Sequence, residues 1–175
     1  MKKIITMMSM AVLLSAGNFT LSSSDLQGQL TIDQEFNGFG CSGKNISPEL
    51  LWKNAPKGTK SFALTVYDPD APTGSGWWHW IVVNIPADVD HIAQNASTTN
   101  ALPKGALETM TDYGKPGFGG ACPPKGDKPH EYRFTIHALD VVKLDVTDKS
   151  DSALVGFMIN HHTIEKATIV SYYKR

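Results

Sequence analysis

The sequence predicts a mainly β protein, with antiparallel sheets packed in a Greek-key-like sandwich and one helix near the C-terminus. Three observations predict it. Several segments alternate with the period of two that strands require. Proline- and glycine-rich turns separate them. Only one segment, late in the chain, carries an approximate helical stripe.

Residues 29–36 alternate first, with Leu30, Ile32 and Gln34 opposite Thr31, Asp33 and Glu35. A turn-rich loop runs on to Pro48. Residues 61–67 put Phe62, Leu64 and Val66 on one face. This strand stops at Asp68-Pro69, because proline has no N–H for a ladder. Pro69, Pro72, Gly74 and Gly76 then make an irregular loop. Residues 77–85 form the next strand, which Pro86 ends. One face carries Trp78, Trp80, Val82 and Asn84, the other His79, Ile81, Val83 and Ile85.

Residues 88–105 are polar and turn-like. Residues 113–129 form a long Gly/Pro-rich segment, of the kind that is usually functional or disordered. Residues 131–139 are the cleanest strand: Tyr132, Phe134, Ile136 and Ala138 face inward, and Glu131, Arg133, Thr135 and His137 outward. Residues 151–166 read as the helix, with a stripe of Leu154, Phe157, Met158 and Ile164 and a cap at Ser150 or Asp151. Residues 168–173 close the chain as a strand.

A length of 175 residues favours one domain with a sizeable core. The net charge of −1 and the lack of any Lys/Arg cluster argue against nonspecific binding to nucleic acid or anionic membrane. The first residues read as a signal peptide. Lys2 and Lys3 precede an apolar run from Ile4 to Ala16, and small residues follow. The run is too short to span a membrane. Residues 1–21 are therefore expected to be the leader, cleaved somewhere between Ala16 and Ser24, and residues 22–175 the single domain. The alternative is a buried N-terminal helix. The expected destination is a periplasm. Without Lys2 and Lys3, 14 basic residues face 17 acidic ones, so the mature chain stays weakly acidic.

Cys41 and Cys122 are the two cysteines, each in a Gly/Pro-rich loop. In an oxidising compartment two lone cysteines usually pair. Closing that span is worth about 4 kcal/mol in the chain-entropy model. Two free thiols are the other possibility.

Three further segments stand out: Asp68-Pro69-Asp70-Ala71-Pro72, then Trp77-Trp78-His79-Trp80, then Gly119-Gly120-Ala121-Cys122-Pro123-Pro124-Lys125-Gly126 followed by His130-Glu131-Tyr132. In this order they resemble the signature regions of the phosphatidylethanolamine-binding protein family, in its bacterial Raf kinase inhibitor-like branch. Asn45-Ile46-Ser47-Pro48 with Trp52, Pro56-Lys57-Gly58-Thr59 and Asn84-Ile85-Pro86-Ala87-Asp88 extend the likeness over nearly all of the chain after about residue 28.

The resemblance implies packed antiparallel sheets, a peripheral helix and a small cavity for phosphate-like anions or phosphoesters. It implies pocket residues Asp68, Asp70, His79, His130 and Tyr132, with the backbone of Ala121, Cys122 and Pro123 helping and Ser47 and Pro48 beside the mouth. It implies no cofactor. Relatives that form dimers or modulate kinase signalling imply a homodimer or a protein partner as further possibilities.

Elementary chemistry agrees with such a pocket. An anion needs converging donors, which histidine, tyrosine and successive backbone N–H groups supply. A carboxylate there is best employed accepting from a histidine N–H, which fixes the ring's tautomer. Each residue also has a plainer reading. His79 shares its expected face with Ile81 and Val83, and either histidine alone fits a satisfied core. Trp77, Trp78 and Trp80 read as core or rim, and His161 and His162 as surface.

Two other functions use the same residues. A hydrolase would need a nucleophile, for which Ser47 and Cys122 are candidates, but no Gly-x-Ser-x-Gly elbow is present. A metal-dependent enzyme could use His79, His130 and an aspartate, but close ligand spacing is missing. The expectation is a binding protein without catalytic residues or a metal.

Overall fold

A computed structural model describes residues 17–175; most of the expected leader lies outside the described residues. The strands are β1 (Thr20–Ser22), β2 (Asn37–Gly38), β3 (Cys41–Ser42), β4 (Leu50–Lys53), β5 (Ser61–Asp68), β6 (Trp77–Pro86), β7 (His91–Ile92), β8 (Leu107–Glu108), β9 (His130–Leu139) and β10 (Thr163–Tyr173). The helices are α1 (Ala96–Thr99) and α2 (Ser152–His162). None of the described helices is long and apolar enough to cross a membrane.

The main sheet has the order β10-β9-β5-β6-β8, and every pair in it is antiparallel. Within it, β5, β6 and β8 follow one another and β9 returns beside β5, which is the Greek-key arrangement. A smaller sheet, β1-β4-β7, and the β2–β3 hairpin complete the strands. Both faces of the main sheet are buried. One packs with the smaller sheet through Leu21, Leu50, Trp52, Phe62, Trp80 and Phe134. The other packs under α2 through Ala63, Ile81, Val83, Leu139, Val155 and Ile159. The expected mainly β sandwich with a late helix is what the chain forms.

The face assignment of β6 differs from the simple alternation. Val66 pairs with Trp80 but Tyr67 pairs with Trp78, so His79 is the extra residue of a β-bulge. A bulge shifts the side-chain parity by one. Trp78 therefore packs with the α2 side, whereas His79 meets Tyr132 at a ring distance of 5.1 Å. A second irregularity between Val82 and Ile85 returns Ile85 to the face of Trp80. His79 thus does not share a face with Ile81 and Val83.

Three other expectations are corrected. Residues 29–36 form no strand: they turn at residues 32–34, and only Gln29 and Glu35 make isolated bridges. The Gln34 side chain accepts from the Thr31 N–H at 3.2 Å and its hydroxyl at 3.1 Å, which holds a local turn in place of a ladder. The helix ends at His162, and β10 begins directly after it. Ten residues from Thr163 to Tyr173 pair with β9, and this ladder overrides the helical pattern. The buried face of α2 is Val155, Gly156 and Ile159, while Leu154 and Phe157 are exposed. The cap is as expected, since the Asp151 side chain accepts from the Leu154 N–H at 2.9 Å.

The fourth difference concerns His137, expected to face outward. It is buried, with its ring nitrogens 3.2 Å from the hydroxyls of Thr65 and Thr163. Burial, helped by Lys166, pushes its pKa down to about 4. The unfolded chain, with an ordinary value near 6.5, binds this proton first as pH falls. Stability from this residue is therefore complete above about pH 6.5 and is lost down to about pH 4. The loss amounts to about 3 kcal/mol. Urea denaturation across this range should show stability rising with pH, and the slope should flatten in His137→Gln. An unchanged slope in that variant contradicts the assignment.

Candidate functional site

Asp68 ends β5 and organises the turn that follows. Its Oδ1 accepts from the Asp70 N–H at 2.8 Å and the Ala71 N–H at 3.1 Å, an arrangement that aspartate side chains favour in turns. Its Oδ2 accepts from Nδ1 of His130 at 2.8 Å. Both side chains are almost completely buried. Asp70 serves the frame instead of the pocket. It accepts from the Glu131 N–H at 2.9 Å and pairs with Lys128 at 2.6 Å, and these two contacts hold its carboxyl below the usual range. The Asp-Pro-Asp segment is thus a clamp on the start of β9.

His79 is fixed by the glycine segment. Its Nδ1 donates to the Gly119 carbonyl at 2.8 Å, and the Gly119 N–H returns a bond to the His79 carbonyl at 2.9 Å. Asn45 holds the next residue, accepting from the Gly120 N–H at 2.7 Å and donating to the Phe118 carbonyl at 3.0 Å. A Cβ on Gly120 would lie 2.2 Å from the Gln34 carbonyl oxygen, so this close approach requires glycine. Burial holds the His79 pKa below its ordinary value, although the Gly119 carbonyl and Asp68 pull the other way. Burial likewise pushes the Tyr113 and Tyr132 phenols well above theirs.

These residues enclose a cavity of about 190 Å³. Of the residues expected there, Asp68, His79, Cys122, Pro123, His130 and Tyr132 line it, while Asp70 and Ala121 do not. Ala121 spends its N–H on Gln34 and its carbonyl on Phe36, and its side chain is in the core. Gly119 and Gly120 also use their N–H groups, and Pro123 and Pro124 have none. The expected run of free backbone donors therefore reduces to Cys122. Ser47 and Pro48 are both buried away from the cavity, Ser47 accepting from the Asn95 and Ser97 N–H groups beside α1.

Trp77, Tyr113 and Phe39 complete the wall. Trp77 fits the expected rim, but nothing in the sequence pattern marked Tyr113 or Phe39, and Asn45 was marked only as part of a motif, without a role at the site. Phe39 sits at the tip of the β2–β3 hairpin, and its ring lies 5.7 Å from that of Tyr113. The Cys41–Cys122 disulfide fastens this hairpin to the cavity loop, with Cα atoms 6.0 Å apart. Arg175 ties the same two segments, donating to the Pro123 and Gly40 carbonyls at 2.8 Å each.

Buried polar atoms nearly always find partners. Here the Trp77 Nε1, the His79 Nε2 and the Tyr132 hydroxyl have none, and all three residues line this one cavity. Among the described residues, no three His, Cys, Asp or Glu side chains converge as a metal site would require.

The fold and site define a class: a small antiparallel-β protein with an aromatic-walled cavity in which three buried polar tips, on Trp77, His79 and Tyr132, are unpaired. The sequence pattern of the family described as phosphatidylethanolamine-binding protein matches residues 22–174, and the chain belongs to that family. It is 52% identical over 163 residues to the Escherichia coli protein YbcL, covering 91% of this chain and 89% of that one. It is 50% identical over 156 residues to Escherichia coli YbhB, covering 87% and 98%. The crystal structure of YbcL, described as a new member of the mammalian PEBP family, superposes with a TM-score of 0.88 over 91% of this chain and 99% of that chain. The Chlamydia trachomatis homologue CT736, 28% identical, gives 0.74 over 90% and 97%.

Proposed function

We propose that this chain is an exported binding protein for small phosphate-like anions or phosphoesters, acting without turnover. The observation that carries the reading is that three buried polar atoms without protein partners, on Trp77, His79 and Tyr132, belong to residues lining one cavity. Tyr132, Trp77 and Cys122 supply donors, and the Asp68 charge is engaged with His130 and two backbone amides. Neither candidate nucleophile supports hydrolysis: the Cys122 sulfur is in the disulfide, and Ser47 is outside the cavity.

The charged and apolar N-terminal order supports export, and an oxidising compartment suits the disulfide. Phe19 and Leu21 belong to the core, so cleavage suits the stretch just before Phe19. The intact mass of the periplasmic protein should lack at least residues 1–16. Full-length chain in the cytosol contradicts export.

Tyr132→Phe separates binding from folding. The hydroxyl has no protein partner, so its removal should leave the unliganded melting temperature unchanged or slightly raised. Phosphate binding, read by calorimetry, should weaken by about 2 kcal/mol, the scale of a hydrogen bond to a charged group. Unaltered phosphate affinity in that variant contradicts the site.

A further inference from the structure

We infer that the cavity selects oxyanions that bring their own proton, such as hydrogen phosphate and monoprotonated phosphomonoesters, over fully deprotonated ones such as sulfate and phosphodiesters. This rests on the anion-binding reading above. It follows from the direction of one lone pair. The Gly119 carbonyl can only accept, so the proton of the neutral His79 ring is on Nδ1, 2.8 Å away. Nε2 is then an acceptor, buried and without a protein partner.

The groups around this ring keep it so. Asp68 reaches it from the end of β5, Asp112 and Tyr113 from the segment after β8, and Tyr132 from β9, where His130 also lines the cavity. The two carboxylates and the glycine carbonyls favour a charged ring, but burial outweighs them. Tyr113 gives its proton to the Gly120 carbonyl at 2.7 Å. The neutral ring therefore presents a lone pair where a plain anion binder would present a proton.

Every unprotonated oxygen of an oxyanion also presents lone pairs. Against Nε2, only a P–OH group makes a hydrogen bond. Hydrogen phosphate carries one throughout the neutral range. A phosphomonoester carries one below its second pKa of about 6. Sulfate and dimethyl phosphate carry none, so their binding requires a solvent proton on His79, against the burial that disfavours it. In every complex one proton lies between Nε2 and the anion. Hydrogen phosphate supplies it, and the other three ligands draw it from solvent at alkaline pH. Sites that demand a matching hydrogen bond discriminate strongly, because a mismatch leaves buried groups unpaired.

The test is calorimetry on the mature protein with inorganic phosphate, sulfate, methyl phosphate and dimethyl phosphate, in two buffers of different ionisation enthalpy. At about pH 8, phosphate should bind about tenfold to a hundredfold more tightly than sulfate or dimethyl phosphate. The gap should narrow towards about pH 5, where His79 is more readily protonated. Methyl phosphate should take up about one proton on binding at pH 8, and its affinity should fall about tenfold per pH unit above 6. His79→Gln offers the anion an N–H and should erase the preference. Equal affinity for phosphate and sulfate at pH 8 in the unaltered protein overturns this inference and leaves the anion site standing. Failure of all four to bind overturns both. If His79→Gln does not fold, the comparison in the unaltered protein decides alone.

Discussion

Asp68→Ala is expected to lower folding stability by about 3–5 kcal/mol, the scale for removing one partner of a buried charged pair. The carboxylate accepts from three donors in two parts of the chain: the adjacent Asp70 and Ala71 amides and the His130 ring. Removing it leaves these donors unpaired, two of them in the turn that shapes the cavity wall and the third on a ring almost wholly buried. Asp68→Asn keeps an acceptor for the amides but sets a side-chain amide against His130. Phosphate binding should weaken about tenfold in that variant, even though a negative charge is lost, because His130 loses the partner that orients it. Simple electrostatics predicts the reverse. Chemical denaturation measures the first effect and calorimetric titration the second. A stability loss under 1 kcal/mol in Asp68→Ala contradicts the organising role, and tighter phosphate binding in Asp68→Asn contradicts the positioning role.

The second large effect concerns the disulfide. Cys41 and Cys122 are 81 residues apart, so the bond closes a loop of nearly half of the 175-residue chain in the unfolded state. In the chain-entropy model this is worth about 4 kcal/mol. The Cys41→Ser, Cys122→Ser double variant should lose about that much stability in denaturant titration. The loss has a local consequence. The bond fastens the hairpin carrying Phe39 to the loop carrying the Cys122 N–H. Without it, Arg175 still ties those segments through the Gly40 and Pro123 carbonyls, and Phe36 and Gln34 still bond the Ala121 backbone, but no covalent link holds the hairpin tip to Cys122. Phosphate affinity should fall by about tenfold, because the loop donor is no longer held in place. A variant with unaltered stability and affinity contradicts the assignment of the disulfide as the clamp of the cavity mouth.

Much of this arrangement was legible in the sequence. β5, β6 and β9 are apolar runs bounded by Pro or Gly, so their positions follow from local pattern, although the faces of β6 do not. The motif residues Asp68, His79, His130 and Tyr132 meet at one cavity. What escaped the pattern depends on partners distant in the chain. The bulge at His79 exists only in the pairing with β5, and it alone moves His79 from the Ile81 face to the side of Tyr132. The end of α2 is set by the ladder of β10 on β9, so the apolar residues Leu154 and Phe157 gave a false stripe. The course of residues 113–129 is set by Asn45 and by the disulfide, neither of which periodicity records. This is why Tyr113 and Phe39 were not foreseen as walls, and why Ala121 was expected at a site where it serves only as frame.

The central claim is that the unpartnered polar atoms of this cavity receive a phosphate-like anion at His79. A long-range proton–nitrogen spectrum of the histidine rings, recorded while inorganic phosphate is added to the mature protein at about pH 7.5, tests it directly. The account predicts a free protein with His79 protonated at Nδ1 and bare at Nε2, and an Nε2 signal that shifts saturably as phosphate binds. A free protein protonated at Nε2, or an Nε2 signal indifferent to phosphate, contradicts it.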